Sequence, residues 1–237
     1  GISGNSNRAL AQARGEFVAL LDHDDALSPS ALHAIVASIN EAPDLDFLYT
    51  DKDSIDETGR HRQYALFKPE FSPEMLYSVN YLTHLNVMRR SLVEAIGGWR
   101  PETDGAQDWD LFYRLTERTS RIARVPGLHY HWRIIATSTA TGLGAKPYAA
   151  AAQLRCQRDR LDRLRWNATA LPDEESGFRI TWAPPPAPNV ELVVHSQGPA
   201  ALRDCLDSLR FARLDDVASL RILASPDCVD YADVARD

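Results

Sequence analysis

The stretch Gly15–Asp25 places the tightest constraint on the fold, reading Gly-Glu-Phe-Val-Ala-Leu-Leu-Asp-His-Asp-Asp. Phe17 to Leu21 run without a polar break into three carboxylates, Asp22, Asp24 and Asp25. A short unbroken apolar run predicts a strand buried on both faces, as in a helix-covered parallel sheet. Ligand sites in such sheets lie just beyond the carboxyl ends of the strands. Residues two apart in an extended chain point the same way, so Asp22 and Asp24 are expected to face one crevice. Two hard oxygen ligands there suit Mg²⁺ or Mn²⁺, above all an ion shared with a phosphate. The competing reading is a loop and helix cap, where Asp is also common.

The rest of the chain continues in α/β fashion. Asn7–Ala13 is expected as a helix closed by Gly15. Ser28-Pro29 provides an N-cap and first helical residue for a helix with Leu32, Ile35, Val36 and Ile39 on its inner face. Asp46–Thr50 reads as a second buried strand leading into Asp51, Asp53 and Asp56, and Gly59 to Pro69 as loop. A short helix at Pro73–Ser78, a strand at Leu85–Met88 and a helix at Ser91–Ile96 closed by Gly97-Gly98 follow. Asp108–Glu117 has helical spacing with Leu111, Phe112 and Leu115 inward. Arg121–Val125 and Leu128–Trp132 read as two strands separated by Pro126-Gly127. Ile134–Gly144 reads as a mobile loop and Tyr148–Leu164 as an Arg-rich amphipathic helix, its arginines (Arg155–Arg165) most simply a solvated face. Pro184–Pro188 is a stiff linker. Val190–Val194, Pro199–Phe211 and Leu220–Leu223 then restart a strand–helix–strand pattern, too short to bury a core alone.

Composition narrows the partners. The net charge is −7 over 237 residues. With no Lys/Arg block, nucleic acid is excluded as an expected partner. No apolar run reaches membrane-span length, and the start has no signal-peptide pattern. Cys156, Cys205 and Cys228 lack metal-site spacing and are odd in number, so a reducing, cytoplasmic compartment is expected, with peripheral contact at the inner membrane face.

Several motifs occur in a fixed order: Gly-Ile-Ser-x-x-x-Asn, Leu-Asp-His-Asp-Asp, Tyr49-Thr50-Asp51-Lys52-Asp53, Phe67-Lys68-Pro69, Gly97-Gly98-Trp99, Gln107-Asp108-Trp109-Asp110 and His129-Tyr130-His131-Trp132-Arg133. Over about Gly1 to Arg165 the chain resembles the family 2 glycosyltransferases of the GT-A fold, in the rhamnosyltransferase-like branch of cell-surface polysaccharide synthesis. The resemblance implies a mixed sheet flanked by helices and a metal-dependent, inverting transfer of a sugar. The donor would be a UDP- or dTDP-sugar, the acceptor a glycan or lipid-linked glycan. It implies that Asp24, Asp22 and His131 meet the Mg²⁺ or Mn²⁺ ion. Asp22 would also reach the donor's ribose or sugar, and Arg133 its phosphates. Asp108 matches the base that takes the acceptor's proton, and Thr137–Gly144 the lid over the donor.

Alternatives stay open on the residues themselves. Asp108 can be a helix cap with Asp110 as base, His131 a satisfied histidine, and Asp51 and Asp53 rival ligands. Trp99 and Trp109 suit either sugar stacking or core. Members of the family open with a strand, helix and strand that carry the base pocket, and this portion is expected to be missing before Gly1. The expected organisation is therefore a GT-A domain over 1–182, incomplete at its amino end, a linker at 183–189 and a partial second α/β unit at 190–237. Such a chain is expected to bind nucleotide weakly. The alternative functions are an Asp-x-Asp phosphatase with Asp22 as nucleophile and a non-catalytic glycan-binding or assembly module.

Overall fold

The computed structural model describes residues 1–135, 147–173, 177–183, 190–196, 198–209 and 217–224. The expected lid Thr137–Gly144, the Pro184–Pro188 linker and Cys228 lie outside these residues. The chain opens with α1 (Ile2–Gln12), β1 (Phe17–Leu20), β2 (Ala26–Leu27), α2 (Ala31–Glu41) and β3 (Phe47–Ile55). It continues through β4 (Arg62–Leu66), α3 (Pro73–Ser78), β5 (Asn86–Arg89) and α4 (Arg90–Ala95) to α5 (Gln107–Thr116), with one 3₁₀ turn at Pro101–Thr103. Then come β6 (Ile122–Arg133), α6 (Pro147–Leu164), β7 (Ala168–Asp173) and β8 (Gly177–Trp182). The last elements are β9 (Val190–Ser196), α7 (Pro199–Leu209) and β10 (Val217–Ala224).

The main sheet runs β1-β5-β3-β6-β2, with β4 also paired to β3. Only β3 and β6 are parallel; β1–β5, β5–β3, β3–β4 and β6–β2 are antiparallel. The mixed α/β architecture is as expected, but the strand that set the expectation is not. β1 is an edge strand paired only to β5, partly exposed along its length. Val18 and Leu20 pack against the core that holds α5 and Phe17 against the core that holds α2, while the strand also borders a cavity. The strand buried on both faces is β3, whose residues alternate between two cores. Phe47 and Tyr49 pack with Phe112 and the rest of α5, whereas Leu48 packs with Ala31 and Ile35 of α2.

Several local expectations are corrected. α1 begins at Ile2 rather than Asn7, and α2 starts after Ser30 rather than Ser28. Leu32 and Val36 are exposed, because α2 turns Ala31 and Ile35 to the sheet. Asp51 and Asp53 lie within β3, which runs on to Ile55, and the expected loop after it contains β4. β6 is one strand, in which Pro126-Gly127 form a bulge opposite Thr50 and Asp51. The β7–β8 hairpin had no counterpart in the sequence reading. Arg160 is buried among the rings of Tyr77, Tyr113 and Trp166 rather than solvated, while Arg155, Arg158, Arg163 and Arg165 are exposed. Residues Gly1–Thr181 and Trp182–Asp237 form two compact units. In the second, β9 and β10 pair in parallel with Leu202 of α7 buried beside Val194. Among the described residues no helix is long and apolar enough to cross a membrane.

Asp110 joins the helical layer to the loop before it. It is fully buried and accepts from Arg100 (Nη2, 2.5 Å) and Arg114 (Nε, 2.8 Å). Arg114 also donates to the carbonyls of Ile96 and Gly98, so the Gly97-Gly98 turn hangs on the same charge. Removing one member of a buried ionic cluster strands its partners. Asp110→Ala is expected to lower stability by about 3 kcal/mol in urea denaturation; an unchanged midpoint would show that the arginines find other partners.

Candidate active site

A cavity of about 510 Å³ opens between α1, β1 and the start of α5, and Asp22, His84, Trp99 and Asp108 all line it. The Gly-Ile-Ser-x-x-x-Asn motif builds one wall. Ser3 donates from Oγ to the Arg100 carbonyl (3.0 Å) and from its amide to Asp104 (2.9 Å). Asn7 exchanges two hydrogen bonds with the Trp99 backbone, at 2.7 and 2.9 Å. Gly98 has φ +65°, and a Cβ there would lie 2.4 Å from Asn7 Oδ1, so only glycine fits this join. Trp99 is thereby fixed, and its Nε1–H donates to Asp108 Oδ1 (3.3 Å). Gln107 donates to the other oxygen (3.4 Å).

These bonds hold the Asp108 carboxylate at the cavity wall. Loss of water around it, together with the nearby Asp22 charge, pushes its carboxyl up to about 6 against the donated bonds from Trp99 and Gln107. The group is thus ionised at neutral pH yet more basic than a free carboxylate. The helix-cap alternative is not what the structure places: the residue preceding α5 is Ala106, and Asp108 lies in the first turn. Asp110, the rival base, is saturated by arginine.

The acidic turn is shaped differently from the extended chain expected. The Asp25 amide bonds back to the Asp22 carbonyl (3.2 Å), so Asp22–Asp25 is a turn and the same-face argument for Asp22 and Asp24 lapses. Tyr130 anchors this turn, donating its hydroxyl to Asp25 and accepting from the Asp22 amide. Arg133 completes the anchor: its amide reaches Asp25 (2.7 Å), and Nε the Asp24 carbonyl (2.6 Å). Its Nη1 donates to the carbonyls of Asp56 and Glu57. Arg133 therefore holds the acidic turn against the end of β3. His131 Nδ1 lies 2.5 Å from Asp53, which also accepts from Arg62.

Among the described residues no group of three or more His, Cys, Asp or Glu side chains is gathered to hold a metal ion, so Asp22, Asp24 and His131 do not form one cluster. Asp22 and Asp24 still present hard oxygens within one turn. Burial and the charges of Asp25 and Asp24 raise the Asp22 carboxyl, a repulsion that a cation would relieve. Mg²⁺ held by one or two carboxylates plus substrate phosphates needs no all-protein cage, and Asp22, which lines the cavity, fits that arrangement. Asp51 does not: it is 1% exposed and accepts from Arg124 and the amides of Lys68 and Gly127.

Other residues of the site carried no role in the sequence reading. Lys52 on β3 pairs in register with Tyr130 and lies over the Trp132 ring (4.7 Å), so it shares the sheet face on which Tyr130 holds the acidic turn. Buried Lys68 donates to the carbonyls of Leu82 and His84, and desolvation pushes its amine down to about 6. His84 stacks on Tyr130, and desolvation with the nearby lysines pushes it down to about 3, so it lines the cavity as neutral imidazole. The hint in the sequence was that both lysines fall in motifs of the family resemblance, Tyr49-Thr50-Asp51-Lys52-Asp53 and Phe67-Lys68-Pro69. Trp109 is core, stacked on Tyr113 with its Nε1–H on the Leu76 carbonyl. A second cavity, of about 370 Å³, adjoins the first and shares Gln107 and Asp108 with it.

With this geometry, comparison with known proteins is informative. Residues 1–97 match the family model described as Glycosyl transferase family 2. An uncharacterized protein, y4gI, of Sinorhizobium fredii is 37% identical over 213 residues, covering 88% of this chain and 23% of its own. The O-antigen biosynthesis protein RfbC of Myxococcus xanthus is 35% identical over 205 residues, covering 86% of this chain and 16% of its own. The chain thus spans about a quarter or less of the length of these relatives. A crystal structure of S. aureus TarS 1–349 in complex with UDP-GlcNAc aligns at TM-score 0.46 and 18% identity, covering 66% of this chain and 51% of that one.

The raised Asp108 carboxyl has a consequence for stability. Its folded pKa of about 6 exceeds the ordinary 3.8, so the folded state holds this proton more tightly than the unfolded chain. The associated stability is complete below the ordinary value and is lost as pH rises through 6. Relative to wild type, Asp108→Asn is expected to gain thermal stability steadily between pH 4 and about 7. Parallel melting curves would place the carboxyl elsewhere.

Proposed function

We propose that the chain forms the catalytic part of a cation-dependent, inverting glycosyltransferase that moves a sugar from a nucleotide sugar onto a glycan acceptor in cell-surface polysaccharide synthesis. One observation carries the reading: Asp22 and Asp108, from opposite ends of the family pattern, line the same cavity. The match of residues 1–97 to the glycosyltransferase family model and the likeness to an O-antigen biosynthesis protein support it.

Each residue then has a task. Asp22 and Asp24 would hold the divalent ion at the donor's diphosphate. When bound, that ion offsets charge on the departing nucleoside diphosphate. Tyr130 and Arg133 keep the acidic turn in place, so the carboxylates need not be ordered on binding. Asp108 accepts the acceptor hydroxyl's proton as its oxygen attacks the anomeric carbon, and Trp99 and Gln107 aim the carboxylate. Attack from the side opposite the leaving group inverts the anomeric centre. The raised basicity of Asp108 strengthens it as a base while leaving it ionised at neutral pH. His131 belongs with Asp53 beneath the site in this reading.

In the full-length protein, Asp108→Asn is expected to lower transfer at least ~100-fold, the usual contribution of a general base, with donor binding unchanged. In the wild type, activity should climb with pH through about 6, where Asp108 ionises, and EDTA should abolish it until Mg²⁺ or Mn²⁺ is restored. Full transfer by Asp108→Asn, measured as nucleotide release with acceptor present, would remove Asp108 from this role.

A further inference from the structure

We propose that the second cavity is a subsite for an uncharged, hydroxyl-bearing sugar ring, read by Asn80 and Gln153. The inference rests on the assignment of Asp108 as base and names the class of acceptor delivered to it. The cavity's place carries the argument first. It shares Asp108 and Gln107 with the larger cavity, so one carboxylate stands between two compartments. A base that joins donor and acceptor needs this arrangement, with the donor's anomeric carbon on one side and the attacking hydroxyl on the other. Its volume of about 370 Å³ suits a small ligand.

The lining carries the argument further. Ser78, Asn80, Gln107 and Gln153 supply neutral donors and acceptors, while Trp109 and Phe178 supply an apolar floor. The two rings pack edge to face at 5.6 Å, which fixes that floor. A pyranose ring, apolar on its C–H faces and polar at its rim, matches such a wall. Among the described residues, Asp108 is the one charged residue lining the cavity. An anionic sugar would bring a second negative charge against that carboxylate, with no cation among the described lining residues to offset it. Asn80 also borders this cavity with a side-chain amide. Asn80 and Ser78 follow α3, Gln153 lies on α6 and Phe178 on β8. Gln153 and Phe178 thus fall outside the family-matched segment, where acceptor preference can vary without disturbing the acidic turn.

The test is binding rather than catalysis. Saturation-transfer NMR on the full chain would use methyl glycosides of glucose, galactose, mannose and rhamnose, beside methyl glucuronide and galacturonide. At least one neutral glycoside is expected to receive saturation, and the uronides none. Gln153→Trp, which fills the cavity, should cut the neutral signal at least tenfold. Asn80→Leu, with the same branching and heavy-atom count but no amide, should cut it severalfold should the larger substitution disturb folding. Absence of signal from all four neutral glycosides, equal signal from the uronides, or survival in both variants would overturn the subsite. Transfer surviving in Asp108→Asn would instead strike the base assignment and leave the binding result standing.

Discussion

The site depends on how β6 is laid against β3. The two strands run parallel, but β6 carries extra residues: Val125 stands opposite Thr50 and Leu128 opposite Asp51, with Pro126-Gly127 looped out between them. Asp51 makes that offset stable. Its buried carboxylate accepts from Arg124 before the bulge, from the Gly127 amide within it and from the Lys68 amide of the incoming chain. Burial opposes ionisation there, yet the bonds from Arg124 and the two amides hold the carboxyl below its usual range. Gly127 has φ +122°, and a Cβ would meet the His129 ring at 2.6 Å, so the bulge demands glycine. Beyond it, Lys52 faces Tyr130 and Asp53 faces His131. Without the offset, Tyr130 would not reach Asp25, and the acidic turn would lose its anchor.

This arrangement separates the residues that do chemistry from those that place them. Asp51 and Asp110 resemble Asp22 and Asp108 in sequence, each pair one or two residues from an acidic neighbour. The structure distinguishes them by partners. Asp51 and Asp110 have arginines and backbone amides on their oxygens, whereas Asp108 is met by an indole N–H and an amide and faces open space. A carboxylate saturated by guanidinium is a strut. One with weak donors beside a cavity keeps a lone pair for a substrate.

Much of this order was legible beforehand. The apolar run ending in acid, the Gly-Gly turn and the amphipathic spacing of Leu111, Phe112 and Leu115 are local signals, and each appears in the fold at or near its expected place. Long-range pairing was not legible. The apolar run Phe17–Leu20 has the composition of a central strand but lies at an edge, because the apolar residues of an edge strand and of a central one look alike in sequence. Lys52 and Tyr130 are 78 positions apart, and only the β3–β6 register brings them to one face. Arg160 appeared to belong to a solvated row, since nothing local announces that Tyr77, Tyr113 and Trp166 close around it. Asp108 and His131 were chosen together from a resemblance; the structure puts the first at the cavity and turns the second onto Asp53.

The clamp between α1 and the Trp99 loop has an implication for how such chains diversify. The family-matched segment ends at residue 97, but Ser3 and Asn7 are bonded to residues 99, 100 and 104. The family-model match and the unit of mechanics therefore end at different places. A recombination that exchanged only the matched segment would cut through the join that positions the indole behind Asp108. Segments that travel intact between relatives must include the loop through Asp104, and with it the first turn of α5.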